Sequence, residues 1–213
     1  MMKNIIFIAP PAAGKGTQSQ MLKEKYGYVH ISTGDLLRAE IASGSELGCE
    51  VKNIIDKGNL VSDELMIDII ESKLTEIKGK PFILDGFPRT LNQAESLDGI
   101  LDDNYETIYL ELSREDAVKR IEGRLTCSCG KSYNMNDEAL KPKVAGICDI
   151  CGKELVKRDD DNAQAFIVRY DNFLNNTKVL IDYYKNKNKL HIVDVNRNIN
   201  DIFEDISRIV AND

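Results

Sequence analysis

Residues 9–17 carry the groups with the clearest chemistry. Their sequence, APPAAGKGT, directly follows the apolar run IIFI at residues 5–8. A strand, a small-residue loop, Gly-Lys and a helix start form the layout of a P-loop, whose backbone N–H groups bind phosphate while Lys15 reaches the β/γ-phosphates. The match is partial, because that pattern has Gly at position 9 and Ser or Thr at position 16, whereas here the hydroxyl comes at Thr17. The stretch favours phosphate binding, and an ordinary strand-to-helix turn remains the alternative.

A second group of charged residues follows another apolar run. Residues 82–84 (FIL) predict a short buried parallel strand, and α/β sheets bind ligands at the carboxyl ends of such strands. Asp85 stands at that end, where it either orders a Mg²⁺ shell or starts a turn with the glycine after it. Arg120 and Arg124 are four residues apart, so we expect them on one face of a helix. There they either clamp a polyphosphate or form a solvated surface.

The cysteines indicate a metal site. Four of the five cysteines are clustered, at Cys127, Cys129, Cys148 and Cys151. The second pair has the usual two-residue spacing of a metal knuckle, and the first pair is one residue short. Four thiolates around zinc would supply folding energy to a segment, residues 125–157, that is poor in long apolar side chains. Free or disulfide-bonded cysteines are the alternative. Cys49 stands alone, and we expect it to be buried.

The elements that must position these groups alternate between strands and helices. Apolar runs predict strands at about 4–9, from 29, at 82–84, at 107–112 and at 190–193. Capped or amphipathic segments between them predict helices. This alternation predicts an α/β fold, a parallel sheet with helices on both faces. We expect His30 and His191, which lie in two of the strands, to be structural.

Composition limits the classes of function. The chain has 213 residues, 42% of them apolar, and a formal net charge of −7. This charge argues against nucleic-acid binding driven by bulk electrostatics. No apolar run approaches the roughly 18 residues of a membrane span, and the apolar start of the chain is too short for a signal peptide. We therefore expect a cytoplasmic protein with no membrane or nucleic-acid partner, and a monomer.

Taken together, the motifs resemble those of the adenylate kinase family, in its long bacterial form with a zinc-bearing lid. The resemblance covers nearly the whole chain, and the order and spacing of the motifs are specific. It rests on residues 14–17 (GKGT), 32–38 (STGDLLR), 58–64 (GNLVSDE), 85–89 (DGFPR) with Gln93, the pair Arg120 and Arg124, Arg158 before Asp160 and Asp161, and Arg169.

The resemblance implies a three-layer P-loop NTPase fold. It also implies an enzyme that uses Mg²⁺ and converts ATP and AMP into two ADP. It implies a core of residues 1–31, 62–123 and 162–213, a helical AMP-binding insert at 32–61, and a small zinc-ribbon-like lid at 124–161. The family's loop has glycine where this chain has Ala9 and Ala12. If either position needs a positive φ or a close phosphate approach, its Cβ strains the loop or weakens ATP binding.

Site residues are carried over from the resemblance, position by position. ATP is expected to contact Ala12, Ala13, Gly14, Lys15, Gly16, Thr17, Arg120, Arg124, Ser132, Tyr133, Arg197 and Asn198. AMP is expected to contact Thr33, Arg38, Asn59, Leu60, Val61, Gly86, Phe87, Pro88, Arg89, Gln93, Arg158 and Arg169. Phosphoryl transfer is assigned to Lys15, Arg38, Arg89, Arg124, Arg158 and Arg169. Asp85 would order Mg²⁺ through water, Asp160 and Asp161 would support lid closure, and Cys127, Cys129, Cys148 and Cys151 would hold structural Zn²⁺.

Two other functions remain open from the sequence. One is a kinase for another nucleoside monophosphate, although Thr33 and Gln93 match the adenylate pattern. The other is a catalytically weak nucleotide-binding or zinc-ribbon protein, which Ala9, Ala12 and the four cysteines motivate. Basic residues from separate segments argue against the second, since a binding module does not need them.

Overall fold

The structure is a computed structural model that describes residues 2–77, 79–101, 103–158 and 160–211. In chain order its strands and helices are β1 (Asn4–Ile8), α1 (Lys15–Tyr26), β2 (Val29–Ser32), α2 (Thr33–Ser43), α3 (Glu46–Ile55), α4 (Asp63–Ile77), β3 (Phe82–Asp85), α5 (Leu91–Ile100), β4 (Tyr105–Glu111), α6 (Arg114–Glu122), β5 (Arg124–Thr126), β6 (Ser132–Asn134), α7 (Ala163–Asn172), α8 (Val179–Asn186), β7 (Leu190–Asp194) and α9 (Ile199–Ala211). A short 3₁₀ turn lies at Glu138–Leu140, and a π turn at Phe173–Thr177 joins α7 to α8.

The described residues form a five-stranded sheet in the order β2-β3-β1-β4-β7, and each neighbouring pair in it is parallel. The predicted α/β fold is therefore confirmed. β1 lies at the centre, where Ile6 pairs with Leu84 on one side and Thr107 on the other. Because parallel strands end at a common edge, the loops after β1, β2 and β3 meet there.

Both faces of the sheet are buried, which explains why β1 is apolar throughout and not alternating. Ile5 and Phe7 pack into a core with Leu22 of α1 and helix α9. Ile6 and Ile8 point to the opposite face and pack with residues of α4 and α5. Successive strand residues alternate between faces, so each apolar residue of the run serves one of two cores.

The segment with the cysteines forms a separate small unit. Strands β5 and β6 pair antiparallel, with Leu125 opposite Tyr133. Its apolar cluster consists of Cys127, Tyr133, Cys148 and Leu155, with Leu125 packed against it. A cluster of this size buries little apolar surface, so the segment depends on a further source of stability.

Two sequence-based expectations about individual residues are wrong. Arg120 and Arg124 do not share a helix, because α6 ends at Glu122 and Arg124 begins β5. Gly123 ends α6, and a Cβ there would lie 2.3 Å from Asn134 Oδ1, so β6 packs closely against this position. Cys49 is exposed and not buried.

Gly48, which precedes Cys49 on α3, is the residue that packs closely against α2. A Cβ on Gly48 would lie 2.4 Å from the Glu40 carbonyl of α2, and the next helical position turns away by about 100°. Cys49 therefore faces outward. No described helix is long and apolar enough to cross a membrane.

Candidate functional site

A cavity of about 440 Å³ opens at the carboxyl edge of the sheet. It lies where the loops after β1 and β3, the start of α2 and the cysteine-bearing segment converge. Of the residues predicted from sequence, it is lined by Ala12, Ala13, Gly14, Lys15, Gly16, Thr17, Thr33, Arg38, Asn59, Leu60, Val61, Asp85, Gly86, Phe87, Arg89, Gln93, Arg120, Arg124, Ser132, Tyr133, Arg158, Asp160, Arg169 and Arg197.

Three predicted residues lie beside this cavity. Pro88 lines a smaller neighbouring cavity of about 60 Å³. Asp161 is buried and binds the Arg124 guanidinium from behind. The Asn198 side chain accepts a hydrogen bond from the Asn200 N–H over 2.9 Å, which places it at the exposed start of α9.

The loop after β1 has the backbone of an anion-binding turn. Gly14 has φ +91° and precedes α1, whose first turn contains no acidic side chain. The partial positive charge of the helix start therefore faces the cavity without a competing carboxylate on that turn. Ala12 has φ +63°, so one of the two positions where the family has glycine does adopt a left-handed conformation. The loop forms with alanine at this position, at a cost in backbone strain.

Lys15 and Asp85 are partly buried charges that line the cavity. Burial and the nearby arginines together lower the pKa of Lys15 to about 8, against the opposing effect of Asp85. Burial alone would raise the pKa of Asp85. A hydrogen bond from His30 and the charge of Lys15 outweigh burial and hold that pKa below its usual value. A bound phosphate would place negative charge beside Lys15 and would favour its protonated form.

The arginines converge from separate elements and repel one another. Burial and the charge of Arg169 together lower the pKa of Arg89 to about 10, while Asp85 opposes the shift. Burial, Arg124 and Arg38 likewise lower the pKa of Arg158 to about 10. Cations held together against their mutual repulsion favour a polyanionic ligand, since an anion removes that repulsion.

Two aspartates compensate part of this charge. Asp161 accepts hydrogen bonds from both Nε and Nη2 of Arg124, the first over 2.7 Å, and its side chain is fully buried. Asp160 accepts from Arg169 Nη1 over 3.0 Å. Paired hydrogen bonds between a guanidinium and a carboxylate fix both groups in orientation as well as position. Strand β5 and helix α7 are thereby linked at the mouth of the cavity.

Several site residues are held by neighbours that sequence reasoning did not place in the site. His30 Nε2 lies 3.2 Å from Asp85 Oδ2, because β2 and β3 are adjacent and both end at the cavity. Gln93 accepts a hydrogen bond from the Arg89 N–H over 2.7 Å and donates to Asp63 over 2.7 Å. The position of His30 near the end of a predicted strand was the available signal. Asp63 lies within the motif at 58–64, but nothing local indicated its contact with Gln93.

The four clustered cysteines form a candidate metal site. Their sulfur atoms all lie within 4.8 Å of one another. The Cys127 and Cys151 sulfurs are 3.3 Å apart, and those of Cys129 and Cys148 are 3.7 Å apart. The short spacing of the first pair therefore does not keep its sulfurs from meeting the other two. The Tyr133 hydroxyl lies 3.5 Å from Cys148 Sγ, so a cavity-lining residue also contacts this cluster.

The fold and this site together define a P-loop protein for phosphorylated ligands. The central strand runs through a small-residue loop into the start of a helix, and buried cations face that loop. The model of the family named Adenylate kinase matches residues 7–189.

Curated relatives extend the match to almost the full chain. Adenylate kinase of Methanosarcina mazei is 47% identical over 213 residues, which cover 98% of each chain. Adenylate kinase of Clostridium tetani is 43% identical over 214 residues, again with 98% of each chain covered. The enzyme of Fervidobacterium nodosum is 45% identical over 214 residues. The chain belongs to the adenylate kinase family.

Proposed function

We propose that this protein transfers the γ-phosphoryl group of MgATP to AMP and produces two ADP. The observation that carries the proposal is the convergence of Lys15 and seven arginines on one cavity next to the P-loop, five of them the arginines assigned to phosphoryl transfer. Two nucleotides that meet phosphate to phosphate bring several negative charges into one place. A positively charged site suits two anionic nucleotides better than it suits a single neutral or cationic ligand.

The chemistry requires alignment and charge neutralisation more than proton transfer. The attacking oxygen of AMP is already anionic, so no general base is needed, and the transferred group carries charge on three oxygens. Lys15 and the N–H groups of residues 12–17 would hold the ATP phosphates. Arg89, Arg158 and Arg169 would hold the AMP phosphate and the group in transfer.

The cavity divides into two proposed halves. Arg120, Ser132, Tyr133, Arg197 and Asn198 are assigned to the ATP half, with the loop. Thr33, Arg38, residues 59–61, residues 86–88 and Gln93 are assigned to the AMP half. Asp85, ionised at neutral pH and beside the loop, is the residue that would order Mg²⁺ through water. When bound, Mg²⁺ would neutralise phosphate charge.

Two segments would close over the nucleotides and keep water from hydrolysing ATP. We assign residues 32–61 to the AMP side, residues 124–161 to the ATP lid, and residues 1–31, 62–123 and 162–213 to the core. The contacts of Arg169 with Asp160 and Asp161 would fix the lid against the core, and the pair Asp161–Arg124 would join the two ends of the lid.

Zinc is the metal we assign to the four cysteines, in a structural role. Tetrahedral zinc with bonds of about 2.3 Å to sulfur requires sulfurs about 3.8 Å apart. The distances of 3.3 Å and 3.7 Å are near this value. With four protein ligands and no open position, the metal would stabilise the lid and take no part in the reaction. The monomeric state and the cytoplasmic location stay predictions.

A coupled assay of ADP formation tests the proposal. Wild type is supplied with ATP, Mg²⁺ and in turn AMP, UMP, CMP and GMP, after its zinc content has been measured. We expect turnover of roughly 1–10³ s⁻¹ with AMP and about one zinc per chain. Faster turnover with UMP or CMP than with AMP would indicate a different nucleoside monophosphate kinase. A folded protein without turnover on any acceptor would refute the proposed reaction.

Matched arginine variants test the site. Arg124→Lys keeps the charge but loses the two-pronged contact, and we expect kcat to fall roughly 10²-fold. Arg208 lies on the exposed surface of α9 and makes ion pairs only with its own helix among the residues described. Arg208→Lys is therefore the control and should stay within twofold of wild type. Equal activity of the two variants would contradict the role given to Arg124.

A further inference from the structure

The helix that carries Arg169 does not run regularly into α8. Residues Phe173–Thr177 form a π turn, in which the Lys178 N–H donates to the Phe173 carbonyl over 2.8 Å. Wide turns of this kind within α-helices are frequent at functional sites. Phe173 is buried and stacks on Tyr109 at a centroid distance of 6.4 Å. The turn is therefore anchored in the core beneath the site.

Two side chains at the ends of this turn donate hydrogen bonds to backbone carbonyls of the cavity wall. Asn172 Nδ2 donates to the Gly58 carbonyl over 3.0 Å, and Thr177 Oγ1 donates to the Arg89 carbonyl over 2.9 Å. In a regular α-helix, residues five apart point about 140° away from each other. A turn closed by a hydrogen bond across five residues reduces this difference. Both donors can then reach the same side of the helix, where the segments around Gly58 and Arg89 lie.

The Thr177 contact completes the restraint on Arg89. The Arg89 N–H donates to Gln93 Oε1 over 2.7 Å, and its Nε donates to the Gly86 carbonyl over 2.7 Å. Thr177 binds the remaining backbone group of the same residue, its carbonyl. The end of the guanidinium is left to face the cavity. A preorganised arginine loses less freedom on binding an anion, so these restraints favour binding.

Gly58 is held in a similar way at the point where the chain returns from α3 to α4. It has φ +79°, and a Cβ on it would lie 2.6 Å from the Ala165 carbonyl of α7. Gly58, Arg89, Asn172 and Thr177 all line the smaller cavity of about 60 Å³. Packing is incomplete around these backbones, so the two hydrogen bonds carry more of the restraint.

We propose that Asn172 and Thr177 are positioning residues for the AMP side of the reaction. Through the π turn they hold the Arg89 backbone and the return of the AMP-binding insert at Gly58 in the geometry that binds AMP. This inference rests on the proposed function. Neither residue lines the main cavity, and both act through segments of its AMP half. The loss of either should therefore weaken AMP binding and leave ATP binding nearly unchanged.

The test compares Thr177→Val, which removes the hydroxyl and keeps the shape, with Thr177→Ser, which keeps the hydroxyl. Thr75→Val is the matched control, because Thr75 donates to the Glu71 carbonyl over 2.9 Å on the exposed surface of α4. We expect Thr177→Val to raise KM for AMP about three- to tenfold, the effect of one hydrogen bond. KM for ATP should stay within twofold, and Thr177→Ser should restore wild-type values.

Asn172→Asp tests the second contact independently, since it removes the donor and keeps the size. Asn175→Asp makes the same change at an exposed position of the same turn and serves as its control. We expect only Asn172→Asp to raise KM for AMP. If Thr177→Val does not fold, the comparison of Asn172→Asp with Asn175→Asp, together with Thr177→Ser, decides whether these hydrogen bonds support AMP binding.

Calorimetric AMP affinity is measured for every variant, because it does not depend on turnover. Unchanged AMP affinity in Thr177→Val and Asn172→Asp would overturn the inference. Equal losses of AMP and ATP affinity would also overturn it, since they would show a general structural role. A wild type that binds AMP but transfers no phosphoryl group would refute the proposed reaction alone, and the affinities would still decide the role of Asn172 and Thr177.

Discussion

Replacement of Ala12 by glycine should stabilise the protein, because Ala12 holds a backbone conformation that L side chains disfavour. Its φ is +63°. A Cβ in the left-handed region costs roughly 1–2 kcal/mol, which glycine avoids. Glycine also gives the unfolded chain more freedom, which removes about 0.4–1 kcal/mol of stability. The balance favours Ala12→Gly by about 1 kcal/mol or slightly less.

Thermal unfolding, followed by circular dichroism or calorimetry, measures this effect. For a chain of this size, 1 kcal/mol corresponds to a shift in Tm of about 2–4 °C, so we expect a rise of about 2–3 °C. Ala9→Gly is the matched control, since Ala9 is the other position where the family has glycine. Ala9 is not among the described residues with positive φ. The control should therefore not raise Tm, and KM for ATP should stay within twofold in both variants.

Two results would refute this reasoning. A fall in Tm for Ala12→Gly would mean that the alanine conformation costs less than the freedom that glycine restores to the unfolded chain. An equal rise for Ala9→Gly would mean that the gain does not come from the φ of residue 12. Either result would also mean that the alanine at position 12, where the family has glycine, does not strain the backbone of this loop.

Three further perturbations test the charges and the metal site. Burial lowers the pKa of Lys15 from 10.5 to about 8, so the unfolded chain binds more protons between these pH values and the free energy of unfolding rises with pH there. In urea titrations, ligand-free Lys15→Met should therefore exceed wild type in stability at pH 7, and the difference should shrink toward pH 10. Asp161→Asn leaves the Arg124 guanidinium without its buried carboxylate and should lower the free energy of unfolding by about 3 kcal/mol. Cys148→Ser should reduce bound zinc and lower Tm, whereas Cys49→Ser at the exposed cysteine should change neither.

The opposite outcomes are equally measurable. A stability difference between Lys15→Met and wild type that stays constant from pH 7 to pH 10 would show that Lys15 does not titrate in this range. Wild-type stability of Asp161→Asn would mean that the pair with Arg124 contributes no net stability. Full zinc content in Cys148→Ser, measured by elemental analysis, would contradict four-cysteine ligation.

The sheet and its central loop could be predicted because their signals are local. The run at residues 5–8 is apolar throughout, as a strand buried on both faces must be, and the structure places it at the sheet centre. Small residues and Gly-Lys before a helix start indicated phosphate binding for a similar reason. Four closely spaced cysteines were enough to predict that their sulfurs meet.

What only the tertiary structure decided depends on residues that are distant in sequence. Arg124 begins a strand and not a helix turn, because β5 pairs with β6 and places Arg124 opposite Asn134. The π turn at residues 173–177 is a second case, because its contacts to Gly58 and Arg89 reach across 114 and 88 positions of the sequence.

The two alanines of the loop also show the difference between what the sequence and the tertiary structure determine. By sequence, Ala9 and Ala12 were equivalent departures from glycine, and the folded backbone gives a positive φ to Ala12. The sequence by itself determined which strands form, which loop is the candidate for phosphate binding and which charged side chains are available, because apolar patterns and loop composition act over a few residues. The tertiary structure decided which of those charges face one another and where the backbone is strained, because these depend on packing between distant segments.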